Sequence, residues 1–151
     1  MKRFVLTFLA GILCCCLSAE AQNYRISHFC LGIVQGGSAE NLNNSAARRR
    51  NTVYSEIAYG RKTPVDATVV IDEGKGEVLL KGPQEKKYRV DFDKSQAWAN
   101  AGHGRRLMTC TGKDDSNNQD ILFERIIDKD GNLIQVSVFG GVNVGTYYIL
   151  Q

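Results

Sequence analysis

A chain of 151 residues with a formal charge of +3 has the length of one domain, and its charge bias is too weak to imply a nucleic-acid partner. With 43% hydrophobic residues it can bury roughly two-thirds of its unfolded surface, so a core without compulsory staples is within reach. Fifteen glycines against two prolines point to many tight turns, and no internal repeat or low-complexity linker divides the chain.

Residues 1–21 have the three-part layout of a secretory leader. Lys2-Arg3 is the basic start, Phe4–Leu17 the apolar run, and Ser18-Ala19-Glu20-Ala21 carries an A-x-A cleavage site. The run has fourteen residues, whereas a membrane-spanning helix needs roughly 20. Cleavage before Gln22 is therefore expected in preference to an uncleaved anchor, which places the working protein in a periplasm or outside the cell. Loss of Lys2, Arg3 and Glu20 with the leader lowers the charge from +3 to +2. Cys14, Cys15 and Cys16 lack the small preceding residues of a lipid-attachment site and depart with the leader. No later run is long enough for a transmembrane segment.

Residues 22–151 read as a single β-rich domain. Tyr24–Val34 is a strand, weakened by Gly32. Residues 36–51 are small, polar and end in Arg48-Arg49-Arg50, and read as a loop, with a short helix around Ala39–Arg48 as the alternative. Val53–Tyr59 is a further strand. Ala67–Ile71 and Glu77–Lys81 flank Gly74-Lys75-Gly76, the pattern of a hairpin, and Gly82-Pro83 ends its second strand. Lys87–Phe92 alternates strictly, with Tyr88, Val90 and Phe92 toward a core and Lys87, Arg89 and Asp91 toward water.

Asp93 can cap a short helix through residues 93–101, stopped by Gly102 and Gly104. Arg106–Thr111, Ile121–Ile127, Leu133–Phe139 and Thr146–Leu150 complete the strands, with Asp130-Gly131 the strongest hairpin signal. About eight strands at spacings of roughly 8–12 residues describe an all-β fold. The short links make it an antiparallel meander, closed as a small barrel or stacked as a sandwich, with one short helix near residues 93–101. The mixed faces of Ile121–Ile127 and Leu133–Phe139 imply strands buried on both sides, one side under the helix around Trp98.

Cys30 and Cys110 survive removal of the leader. An oxidising compartment favours a disulfide between them, closing a loop of about 80 residues, nominally worth roughly 4–5 kcal/mol. The competing reading is two buried thiols on separate strands, since cysteine packs as a small hydrophobe. Compartment alone decides for the bridge.

His103, between two glycines, has the chemistry of a proton shuttle or ligand, but an exposed loop histidine is the commoner case. His28 is too distant in sequence to complete a metal motif. Asp114–Asp120 offers oxygen ligands without the glycine and closing glutamate of a calcium loop, so no metal or other cofactor is expected. Arg48-Arg49-Arg50 with Arg61-Lys62 reads as a solvated basic loop. No nucleophile elbow, zinc motif or phosphate-binding glycine loop is present.

The expected function is a small exported β-domain that binds a small ligand, a glycan or a protein and performs no chemistry. Tyr88, Phe92, Trp98, Phe123, Tyr147 and Tyr148 are the aromatic residues that would line a ligand space inside a barrel, with plain core packing as the competing role. One alternative is a small secreted hydrolase using His103. Another is a structural or surface-assembly protein, which an exposed apolar edge strand at Thr146–Leu150 would favour.

Overall fold

The computed structural model describes residues 20–34, 57–92 and 97–151. They form ten strands: β1 (Gln22–Val34), β2 (Ile57–Tyr59), β3 (Thr63–Asp72), β4 (Glu77–Lys81), β5 (Lys86–Val90), β6 (Ala99–Gly102), β7 (Arg105–Asp114), β8 (Asp120–Ile127), β9 (Leu133–Gly140) and β10 (Asn143–Ile149). The order β1-β3-β4-β5-β7-β8-β9-β10 is a meander, and β10 pairs back onto β1. The sheet therefore closes into an eight-stranded antiparallel barrel, which decides between barrel and sandwich. β2 adds to β1 and β6 to β7 outside the closed ring. Closure leaves no free edge at β10, the edge that the surface-assembly alternative would need at Thr146–Leu150, because β10 is bonded to β9 on one side and β1 on the other.

The turns follow from local chemistry. Between β3 and β4, the Asp72 carboxylate accepts from the Lys75 N–H at 2.9 Å, and Gly76 takes a φ of 68°. Between β8 and β9, the Asp128 carboxylate accepts from the N–H groups of Asp130 and Asn132, each at 2.9 Å, and Gly131 takes a φ of 91°. The Asp-Gly signal thus marks a turn organised by the aspartate two residues earlier.

The helix expected at residues 93–101 is not found. Residues 93–96 lie outside the described residues, Ala97 and Trp98 are irregular, and residues 99–102 are strand β6. Gly102 pairs with Arg105 across a two-residue turn in which His103 and Gly104 both have positive φ, 52° and 74°. That is the hairpin geometry which matches the twist of its strands. Gly-His-Gly therefore turns a hairpin rather than stopping a helix. No helix occurs among the described residues. The loop expected at residues 36–51 also lies outside them.

The core fills the barrel. Ile26, Val69, Ile71, Val78, Leu80, Tyr88, Val90, Cys110, Phe123, Val136 and Val138 are all buried in one apolar cluster. Alternation in β5 is as the sequence implies, with Tyr88 and Val90 buried, Phe92 half-buried, and Lys87, Arg89 and Asp91 exposed. A register shift between Ile26 and His28 lets Tyr24, Ile26 and then Phe29 face inward along β1.

The expected Cys30–Cys110 bridge is absent, and the topology explains why. β1 and β7 stand four strands apart in either direction round the ring, roughly 19 Å along the wall at the usual strand spacing. Cys110 sits in the internal cluster, whereas Cys30 faces outward and donates to the Gly60 carbonyl at 3.1 Å. A disulfide needs Cα atoms within about 7 Å. Cysteine count and compartment carry no information about which side of a wall a thiol is on.

Candidate functional site: the barrel interior and its open end

The two ends of the barrel differ. One end, carrying the β3–β4 and β8–β9 turns, is plugged. Arg125 of β8 lies opposite Met108 and Val136 in the strand register and, by alternation with Phe123, points inward. It is 8% exposed. Its Nη1 donates to the Glu73 carboxylate on the β3–β4 turn, and its Nη2 lies 3.0 Å from the Met108 sulfur. The guanidinium sits 5.1 Å from the Phe92 ring centroid and 5.5 Å from that of Trp98, close enough for cation–π attraction. Its Nε is buried with no hydrogen-bond partner among the described residues. Phe92 and Phe123 meet edge to face at 5.9 Å. Phe92, Trp98 and Phe123 are therefore core and plug.

The other end, carrying the β4–β5, β7–β8 and β9–β10 turns, is open among the described residues. A cavity of about 230 Å³ runs in from it, walled by Phe29, Tyr88, Ile121, Val138, Gly145 and Tyr147, with Lys86, Asp114, Asn117, Gln119 and Asn143 at its mouth. A second cavity of about 230 Å³ lies between β1, β3 and β4, against Ile26, Val65, Ala67 and Leu80, and shares Phe29, Lys86 and Tyr147 with the first. Phe29 and Tyr147 form a tilted pair with ring centroids 4.9 Å apart. Gly145 makes the space, because a Cβ there would stand 3.2 Å from the Tyr147 hydroxyl and 3.4 Å from the Phe29 ring. Burial pushes the Tyr147 phenol up to about 12 and Tyr88 higher still, so both are neutral donors at physiological pH.

Tyr88 and Tyr147 are thus the two aromatic residues of the expected set that meet in a cavity. Tyr148 is not. It faces outward, with the Lys62 ammonium 3.9 Å from its ring centroid. The sequence missed Phe29, because the register shift at Ile26/His28 reverses the alternation that a continuous strand would have. It also missed Lys86. Continuing the Tyr88–Val90–Phe92 alternation back by two residues places Lys86 on the inner face, and that signal was available.

A second feature lies on the outer wall. Thr109, Glu124, Ser137, Thr146 and Cys30 are successive register partners across β7, β8, β9, β10 and β1. All five are buried. Thr109 Oγ1 donates to Glu124 Oε1 at 3.1 Å, and the Ser137 and Thr146 hydroxyls are 3.2 Å apart. The next row, Leu122, Phe139, Val144 and Gly32, is buried too. β8 and β9 are therefore buried on both faces, as their mixed sequence implies. The expected cover does not apply, since Trp98 packs against the internal cluster.

His103 is exposed at the tip of the β6–β7 hairpin and lines neither cavity at the open end. Among the described residues, no group of three or more His, Cys, Asp or Glu side chains is placed to hold a metal ion, and no helix is long and apolar enough to cross a membrane. Comparison with protein families, with curated proteins and with solved structures finds no match.

Proposed function

We propose that this protein is an exported binding module that takes a small, largely apolar ligand into the open end of its barrel. The observation that carries the reading is the cavity bounded by Phe29, Tyr88, Ile121, Val138 and Tyr147, inside a barrel whose other end is packed shut. Eight-stranded barrels either fill with side chains or hold one small ligand. Here the filling stops short on one side, and glycine stands where any side chain would intrude.

Size limits the ligand. A dry apolar cavity of about 150 Å³ holds a benzene, so about 230 Å³ suits one or two rings or a short acyl chain. The neutral Tyr88 and Tyr147 hydroxyls supply orienting donors, as in small-molecule sites generally. Export is supported by the basic start, apolar run and A-x-A site of residues 1–21. A hydrolase centred on His103 draws no support from a residue at an exposed hairpin tip outside both cavities.

The test is a thermal-shift and native mass spectrometry panel of small apolar compounds on the wild type and on Gly145→Val. At a ligand concentration near 100 times Kd, the wild type gains about 2.7 kcal/mol of stability. Gly145→Val, folded by circular dichroism, loses that gain because its side chain occupies the cavity. Binding that survives in Gly145→Val places the site elsewhere and refutes the reading.

A further inference from the structure

We infer that the ligand of the open end is an anionic amphiphile, an apolar body bearing one carboxylate, held by the Lys86 ammonium. The inference rests on the binding reading above and specifies its chemistry.

Lys86 shares its face of β5 with Tyr88 and Val90, both buried in the barrel core. Lysine is costly on an inner face unless its charge reaches water or a partner. Here it stands at the mouth and borders both cavities, sharing with Phe29 and Tyr147 the wall between them. On its own strand and on β7, the cations nearest to it are neutralised within the chain, while Lys81 of β4, likewise without an ion pair among the described residues, ends the outer edge of that strand. Lys87 pairs with Glu77 at 2.7 Å, Arg89 with Asp115 at 2.8 Å and Lys113 with Asp120 at 2.8 Å. Even the inward-facing Arg125 at the far end has its carboxylate, Glu73. Lys86 has no carboxylate within ion-pair distance among the described residues. Asp114 also borders the mouth, but its Oδ1 accepts from the N–H and the hydroxyl of Ser116, which turns it into its own β7–β8 turn.

The rest of the rim argues for an apolar body. Leu31 borders the first cavity at 49% exposure, Ile33 follows on the same face of β1 at 51%, and Val142 in the β9–β10 turn is 46% exposed. In the register Ile33 lies opposite Asn143, next to Val142. The mouth thus has an apolar lip on the β1–β10 side and one uncompensated cation on β5. A carboxylate on Lys86 would let an acyl chain or ring run inward along Tyr88 and Tyr147. Because Lys86 borders both cavities, a forked or bent body can occupy the two at once.

The experiment uses three probes of matched chain length: decanoate, decanol and decyltrimethylammonium. Each is titrated calorimetrically into the full mature chain, as wild type, Lys86→Gln and Lys86→Arg, at low and high salt. The expected result is decanoate bound about fivefold more tightly than decanol, the scale of one partly exposed ion pair. That preference vanishes in Lys86→Gln, persists in Lys86→Arg and shrinks as salt rises. Decanol and decanoate binding equally, with Lys86→Gln without effect, overturns the anion inference and leaves the apolar site standing. A preference for decyltrimethylammonium also overturns it and assigns the mouth to Asp114. Failure of all three probes to bind overturns the binding reading itself.

Discussion

Arg125 shows how one residue can be both costly and required. Its guanidinium is taken out of water inside the barrel, and Glu73 and the faces of Phe92 and Trp98 are what compensate it. Removing the partner alone strands a buried charge, so Glu73→Gln should destabilise by about 3 kcal/mol, scaled down to the extent that Glu73 stays in contact with solvent. Replacing the charge itself by an apolar chain of similar length, Arg125→Met, should be close to neutral, because the orphaned Nε disappears with it. Urea denaturation of the two variants checks the contrast. The buried phenols make a separate prediction in pH. Tyr147 rises from 10.0 to about 12 on folding, so the folded state holds a proton that the unfolded chain releases above about pH 10. Its contribution is fully present below pH 10 and is lost as pH rises toward 12. Ultraviolet titration of tyrosine alongside the urea midpoint should show stability falling in that window.

Strands and turns show how much of the architecture was legible in the residues. The β3–β4 hairpin, the alternation of β5 and the Asp130-Gly131 turn were readable because each depends on chemistry within a few residues. The helix at residues 93–101 was misread for the opposite reason. Its alanines favour a helix in isolation, but the pairing of β6 with β7 is set by the positive-φ turn at His103. His103 bears a strain there that glycine would not, so His103→Gly should stabilise the hairpin by about 1 kcal/mol. Denaturant midpoints measure it, and a loss of stability would show that the imidazole has a role the geometry does not reveal. Gly112 lies at the other extreme. A Cβ there would sit 2.4 Å from the Arg89 carbonyl oxygen, across the β5–β7 pairing. Gly112→Ala should part these strands, whose register of Tyr88, Arg89 and Val90 is flanked by the Asp91 N–H donating to Thr111 and the Asp115 N–H donating to Lys87. Amide exchange localised to β5 and the C-terminal part of β7 is the expected signature. The open-end site was half legible. Tyr88 and Tyr147 could be nominated as aromatics, whereas Phe29 depends on a one-residue register shift that no composition or periodicity discloses.

At the scale of the molecule, the barrel is closed by the pairing of its first and last strands, so the final bonds of the ring join residues more than a hundred positions apart. Loop-closure entropy must be met before that contact forms, and such non-local topologies fold in milliseconds to seconds rather than microseconds. Removal of residues 143–151 should leave β1 and β9 as open edges and convert the protein into an aggregating species, which light scattering and gel filtration would detect. The long-range closure also explains why a barrel and a sandwich could not be separated from the residues alone. Both share the same strands and links, and they differ in whether the β1–β10 pairing exists.

That same pairing brings the start of the first strand and the end of the last together. Ile26 stands opposite Ile149, and the Leu150 N–H donates to the Arg25 carbonyl at 2.7 Å. Gln22 and Leu150 therefore leave the barrel side by side, at the pole that Arg125 plugs and away from the mouth guarded by Lys86. Whatever is fused after Gln151, or before Gln22 in a chain begun there, whether a purification handle, a surface support or a second domain, hangs from the back of the molecule with the cavity facing outward. A short glycine-serine bridge from Gln151 to Gln22 would likewise span the gap, and new ends cut between Asp130 and Gly131 would emerge from that same pole. Such a rearranged chain should keep both the ring and the cavity, because the connectivity changes where nothing binds.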